Sequence, residues 1–112
     1  MDNARAPIVE NLFDTVPRRA DAELFTQLLA RPGLRIERIV STGQTTSTDS
    51  PHDQPHDEWV LLLAGAARLR IGDAKDLDLR PGDCLLIPAH CEHRVTWTDP
   101  HQPTIWLAVH IG

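Results

Sequence analysis

His52, Gln54, His56 and Glu58 occupy alternate positions just before the apolar run Trp59 to Ala64, which ends at Gly65. Side chains of a strand alternate between its two faces, so an extended backbone would point all four polar, metal-capable groups to one side. A second segment, Gly82 to His93, is expected to complete a small pocket with them inside a β-barrel. Glu58 is either a surface carboxylate at a strand start or a partly buried one that needs a partner, and the apolar run beside it favours burial. His93 is either a satisfied core histidine or a ligand. His90 and His101 fall in expected turns and read as solvated, and His110 reads as structural.

The rest of the chain must position these groups. Residues 1–20 read as an arm packing on the domain surface. One helix is expected over residues 22–31: Asp21 can cap it, Leu24, Phe25, Leu28 and Leu29 form a stripe, and Pro32-Gly33 stops it. From Leu34 the period changes to that of strands. Leu34 to Val40 starts as an alternating strand, and Ser41 to Ser50 is a polar stretch. Trp59 to Ala64 is continuous and apolar, as in a strand covered on both faces. Ala67 to Ile71, Leu77 to Leu79, Cys84 to Ile87, Glu92 to Thr98 and Thr104 to Ile111 follow as further strands, with turns at Gly72-Asp73, Pro81-Gly82-Asp83 and 99–103. Short strands at this spacing indicate an all-β sandwich or barrel.

Composition narrows the function. A chain of 112 residues is most simply one domain, and no apolar run is long enough to span a bilayer. The formal charge of -5, with dispersed arginines, argues against nucleic acid or an anionic membrane as partner. Met1 to Pro7 shows no export signal, so the expected location is cytoplasmic. Cys84 and Cys91 are then expected as reduced thiols, small and buried, since their spacing fits no common zinc knuckle.

Two motifs make the chain resemble the cupin superfamily. The family's first motif has the form H-x-H, three or four residues, E, six residues, G. Here His52, Gln54, Glu58 and Gly65 take those places, with Gln54 in place of a histidine. The second has the form G, five residues, P-x-G, two residues, H, three residues, N. Here it runs through Gly82, Pro88, His90 for the glycine, His93, and Trp97 for the asparagine. The resemblance covers about residues 34 to 111 and implies an all-β double-stranded β-helix, or jelly-roll barrel, over residues 34–112; the arm and short helix of residues 1–33 are an addition to it, expected to pack on the barrel.

By the same resemblance, His52, Gln54, Glu58 and His93 are the candidate ligands of one divalent transition metal, Zn, Fe, Mn or Ni, with His56 competing with Gln54 for one place. If Glu58 points inward, Val60, Leu62 and Ala64 share its side, and with an inward His93 go Val95 and Trp97, giving an apolar pocket above a polar base. Such a pocket suits a small organic ligand. The implied function is a metal-dependent enzyme of dioxygenase, isomerase, decarboxylase or lyase type. The alternative is a non-catalytic cupin that binds or senses a small ligand with a degenerate or empty metal site. Trp59, Leu61 and Leu63 point the other way and need cover, from the helix or from a second subunit in a homodimer; cover by the arm alone would leave a monomer.

Overall fold

The computed structural model describes residues 6–112, so the first five residues of the expected arm lie outside the described residues. Eight strands follow in order: β1 (Leu24–Arg31), β2 (Leu34–Ser41), β3 (Asp57–Ala64), β4 (Ala67–Ile71), β5 (Leu77–Leu79), β6 (Cys84–Ile87), β7 (His93–Thr98) and β8 (Thr104–Ile111). They form two antiparallel sheets, one of five strands in the order β1-β2-β8-β3-β6 and one of three in the order β5-β4-β7. The architecture is all-β, as the strand spacing implies.

The helix expected over residues 22–31 is instead strand β1, paired with β2 from Leu24↔Val40 to Arg31↔Leu34. Only Pro32 and Gly33 separate the two strands, and Gly33 has φ 72. Proline followed by a positive-φ glycine is turn chemistry for a tight hairpin as well as a helix stop. The apolar residues at 24, 25, 28 and 29 imitate a helical stripe because the register shifts between Gln27 and Leu29, which resets the strand's alternation. Pairing along the length of β2 outweighs the helix propensity of Leu, Gln and Ala, which is a weak preference.

The core lies between the sheets. Leu62, Ala67 and Trp106 form one buried cluster, and Val60, Leu69, Ile87 and Ala108 another, so β4 of the small sheet packs against β3, β6 and β8 of the large one. Leu62 is wholly buried, which contributes about 1.5–3 kcal/mol for a side chain of its kind. Along β3, Glu58, Val60 and Leu62 are buried while Trp59, Leu61 and Leu63 are partly exposed on the outer face.

The alternation expected for β7 holds only in part. Val95 pairs with Leu69, but the register shifts at Thr96, so Trp97 pairs with Arg68 and Thr98 with Ala67. Trp97 therefore leaves the pocket side, where Val95 lies, and its ring carries the Arg68 guanidinium at 5.1 Å from its centroid. Thr98 takes the inward place, 1% exposed, with its hydroxyl donating to Gln44 O at 2.7 Å.

The stretch between β2 and β3 follows β7. Thr46 N donates to Val95 O at 2.9 Å, and His52 and His93 exchange backbone hydrogen bonds of 2.8 and 2.9 Å in an isolated antiparallel bridge. That bridge brings the two motif segments side by side.

Candidate functional site

A cavity of about 160 Å³ opens between the sheets. Ile39, Val60, Leu69, Ile87, Val95 and Trp106 supply apolar wall, and His52, Gln54, Glu58, His93, His110 and Glu37 gather as polar lining. All four residues singled out by the motifs therefore line one cavity. His56 does not. Pro55 and His56 form a bend before β3, which breaks the extended backbone that would have kept position 56 in step.

Glu58 is 8% exposed and His93 5%, with His93 Nε2 3.8 Å from Glu58 Oε1. His93 Nδ1 lies 3.0 Å from Cys91 O. A carbonyl can only accept, so Nδ1 carries the hydrogen and the neutral ring presents a lone pair at Nε2. The Gln54 side-chain nitrogen donates to Glu58 Oε1 at 2.6 Å. Facing an acceptor-only carboxylate, the amide is oriented with its NH2 toward Glu58. His52 contributes its ring from the loop, 5.4 Å from the His93 ring between centroids, and is itself exposed.

His110 is the pocket residue that its terminal position concealed. It pairs with Glu58 across β3 and β8 and is 7% exposed. Its Nε2 lies 2.9 Å from Glu37 Oε1, its Nδ1 2.9 Å from His56 Nε2, and Glu58 Oε1 is 4.0 Å away. The Glu37 carboxylate accepts, so His110 Nε2 carries a hydrogen, and His56 donates to Nδ1 when both rings are neutral. Strand parity could have found it. Thr104, Trp106, Ala108 and His110 are all buried and share one face of β8, and Glu37 and Ile39 share one face of β2.

The retained backbone of the second motif is visible at His90, which has φ 60 where the motif carries glycine. Its N–H donates to Gln54 O at 2.7 Å, tying the two motif segments together a second time. Ala89 N adds a bond of 2.8 Å to Asp57 Oδ1. His90 and His101 are exposed, and Cys84 and Cys91 are free thiols, Cys84 exposed rather than buried because it pairs with Leu61 on the outer face of the large sheet.

A divalent ion needs several lone pairs converging on one point. Here the Gln54 N–H donors are aimed at the Glu58 oxygen nearest His93, and among the described residues no group of three or more His, Cys, Asp or Glu side chains is arranged to hold a metal. As arranged, the residues pair with one another rather than converge. Among the described residues, no helix is long and apolar enough to cross a membrane.

Comparison with known proteins agrees with this fold. No curated protein matches the sequence. Among solved structures, a "putative mannose-6-phosphate isomerase" from Ralstonia eutropha JMP134 is 50% identical, with 94% of this chain and 98% of that one covered and a TM-score of 0.90. A cupin superfamily protein from Desulfitobacterium hafniense DCB-2 is 23% identical over 86% of this chain and 83% of that one, TM-score 0.71. The DMSP lyase DddQ from Ruegeria pomeroyi DSS-3 is 21% identical over 82% of this chain and 48% of that one, TM-score 0.69; at these lower identities the likeness is one of fold. The family model for the cupin domain matches residues 38–110, and the chain belongs to the cupin family.

Proposed function

We propose that this cupin binds a small polar organic molecule in the cavity between its sheets, and that hydrogen bonding by the polar lining, rather than a resident metal, holds it. The observation that carries this reading is the Gln54–Glu58 hydrogen bond of 2.6 Å, which engages the carboxylate at the motif position with an N–H donor. An apolar cavity with a few converging polar groups is the usual form of a small-molecule site. At about 160 Å³ it lies below the ~300–1,000 Å³ of sites for drug-sized ligands, so the occupant is small.

A metal-dependent enzyme, of the isomerase or lyase kind suggested by the Ralstonia and Ruegeria proteins, is the second reading. What favours it is His93: the Cys91 carbonyl fixes its tautomer and leaves Nε2 free on the Glu58 side, the arrangement that metal-binding histidines use. His52, Glu58 and His93 would be the ligands, with Gln54 joining by turning its oxygen inward.

Elemental analysis of protein purified without an affinity tag separates the two. We expect no stoichiometric metal, and a rise in Tm with a bound small molecule, about 2.7 kcal/mol of stabilisation at a hundredfold excess over Kd. Stoichiometric Zn, Fe, Mn or Ni that disappears in His93→Ala would replace the first reading with the second.

The proposal includes a homodimer and a cytoplasmic location, the latter supported by the free thiols. The outer face of the large sheet carries Trp59, Leu61 and Val109, with Leu86 53% and Ile111 48% exposed, and a second copy would cover it. Light scattering on an eluting peak should give twice the chain mass; a monomer mass would remove this part.

A further inference from the structure

We infer that the cavity is built for a small molecule carrying a protonated primary amine, and against phosphate or carboxylate ligands. This rests on the small-ligand reading above and adds the charge and hydrogen-bonding class of the occupant.

The first observation is the sense of the hydrogen bonds at the lining. His93 is 5% exposed, its Nδ1–H is held by Cys91 O, and its Nε2 has no hydrogen-bond partner among the described residues while the residue lines the cavity. That atom is therefore an acceptor left open to the cavity. Three carboxylates line the same cavity, and each has one oxygen engaged by the protein: Glu58 Oε1 by Gln54 at 2.6 Å, Glu37 Oε1 by His110 at 2.9 Å, and Glu23 Oε2 by the Ser41 hydroxyl at 2.5 Å. The second oxygen of each has no hydrogen-bond partner among the described residues. Four acceptors are thus left around the cavity, and an ammonium head, with three donors and no acceptor, matches their sense.

The second observation is charge. Among the described residues no lysine or arginine forms an ion pair with Glu23, Glu37 or Glu58; the arginine pairs are Arg68–Asp78 and Arg70–Asp76, on the small sheet. The lining contains one guanidinium, Arg35, and that residue is exposed. Three carboxylates against that one guanidinium give the lining a negative formal charge. The apolar walls raise the effect of that charge by lowering the local dielectric. Phe25 and Trp106 line the cavity as well, and aromatic faces favour a cation further. A phosphoryl group would meet three carboxylates, with the exposed Arg35 as the one guanidinium of the lining to pair with it.

The test uses three probes of equal size and different head groups, propylamine, 1-propanol and propionate, added to the full chain in EDTA at neutral pH. Amide and indole chemical shifts are followed, including the Trp106 indole N–H, which bonds to Ser41 Oγ at 3.2 Å and through it reports on Glu23. Propylammonium should bind at least tenfold more tightly than propanol, propionate should be weakest, and Glu23→Gln should weaken the amine several-fold while leaving propanol unchanged. Propionate or propanol binding as tightly as the amine would overturn the inference. So would no shift from any of the three when a different small molecule raises Tm, an outcome that leaves the small-ligand reading standing. If nothing of any charge binds, both fall.

Discussion

The Gln54 side-chain nitrogen donates to Glu58 Oε1 across 2.6 Å, at the position where the cupin motif carries a histidine. An imidazole there would offer a lone pair in place of two N–H donors, and Glu58 would be released to face His93. Gln54→His should therefore raise affinity for Mn, Ni or Zn by about tenfold or more, since imidazole suits these ions far better than an amide. Calorimetric titration of both proteins in parallel checks this. Equal affinities would show that residue 54 does not help to set metal binding.

Gly65 closes the first motif for a reason visible in its surroundings. It has φ 86, and a Cβ there would stand 2.6 Å from Thr104 Cα and 2.8 Å from Pro103 O. Both neighbours are backbone at the start of β8 and cannot swing aside. Gly65→Ala combines an unfavourable backbone region, about 1–2 kcal/mol, with this overlap, and should cost about 3 kcal/mol. The urea midpoint should fall while the slope of the transition stays unchanged.

Local alternation made β3 legible in the sequence. Asp57 to Leu62 keeps one register with β8, so the parity that turned Glu58 inward also placed Val60 and Leu62. The same logic failed on β7 beyond Val95, because one extra residue, Thr96, sends Trp97 outward; a bulge is set by the partner strand and leaves no local mark. It failed on β1 because the bulge there made a helical spacing out of a strand. Of the polar lining, the motifs supply His52, Gln54, Glu58 and His93. Glu37 and His110 escape them because their meeting depends on the neighbouring of β2, β8 and β3, which pairs residues more than fifty positions apart.

That meeting has a measurable consequence. The His110 and Glu37 side chains are 8% and 15% exposed and joined at 2.9 Å, with Glu58 4.0 Å from the same ring. Removing the imidazole leaves Glu37 without its donor beside a second carboxylate. His110→Ala should cost about 3 kcal/mol, as expected when one partner of a buried pair is lost. Adding Glu37→Gln to that variant should recover about 1 kcal/mol or more, and additive losses in the double-mutant cycle would show that the two side chains are not coupled.

His90 offers the opposite sign. At φ 60 it occupies the left-handed region in which the motif's glycine is at ease, and a side chain there is unfavourable by roughly 1 kcal/mol. Its ring is 76% exposed and its nearest acidic neighbour, Asp53 Oδ1, is 4.0 Å away, so little binding energy is lost with it. The bond that matters at this position is the backbone one, His90 N to Gln54 O at 2.7 Å, and glycine retains that N–H. Glycine's greater freedom in the unfolded chain offsets part of the relief. His90→Gly should therefore be stabilising by about 0.5 kcal/mol, whereas His90→Val, branched at Cβ in the same backbone region, should destabilise by about 1 kcal/mol or more. Denaturant midpoints of the two variants should fall on opposite sides of the parent. A glycine variant no more stable than the valine variant would mean that the turn between β6 and β7 gives up its left-handed residue in solution.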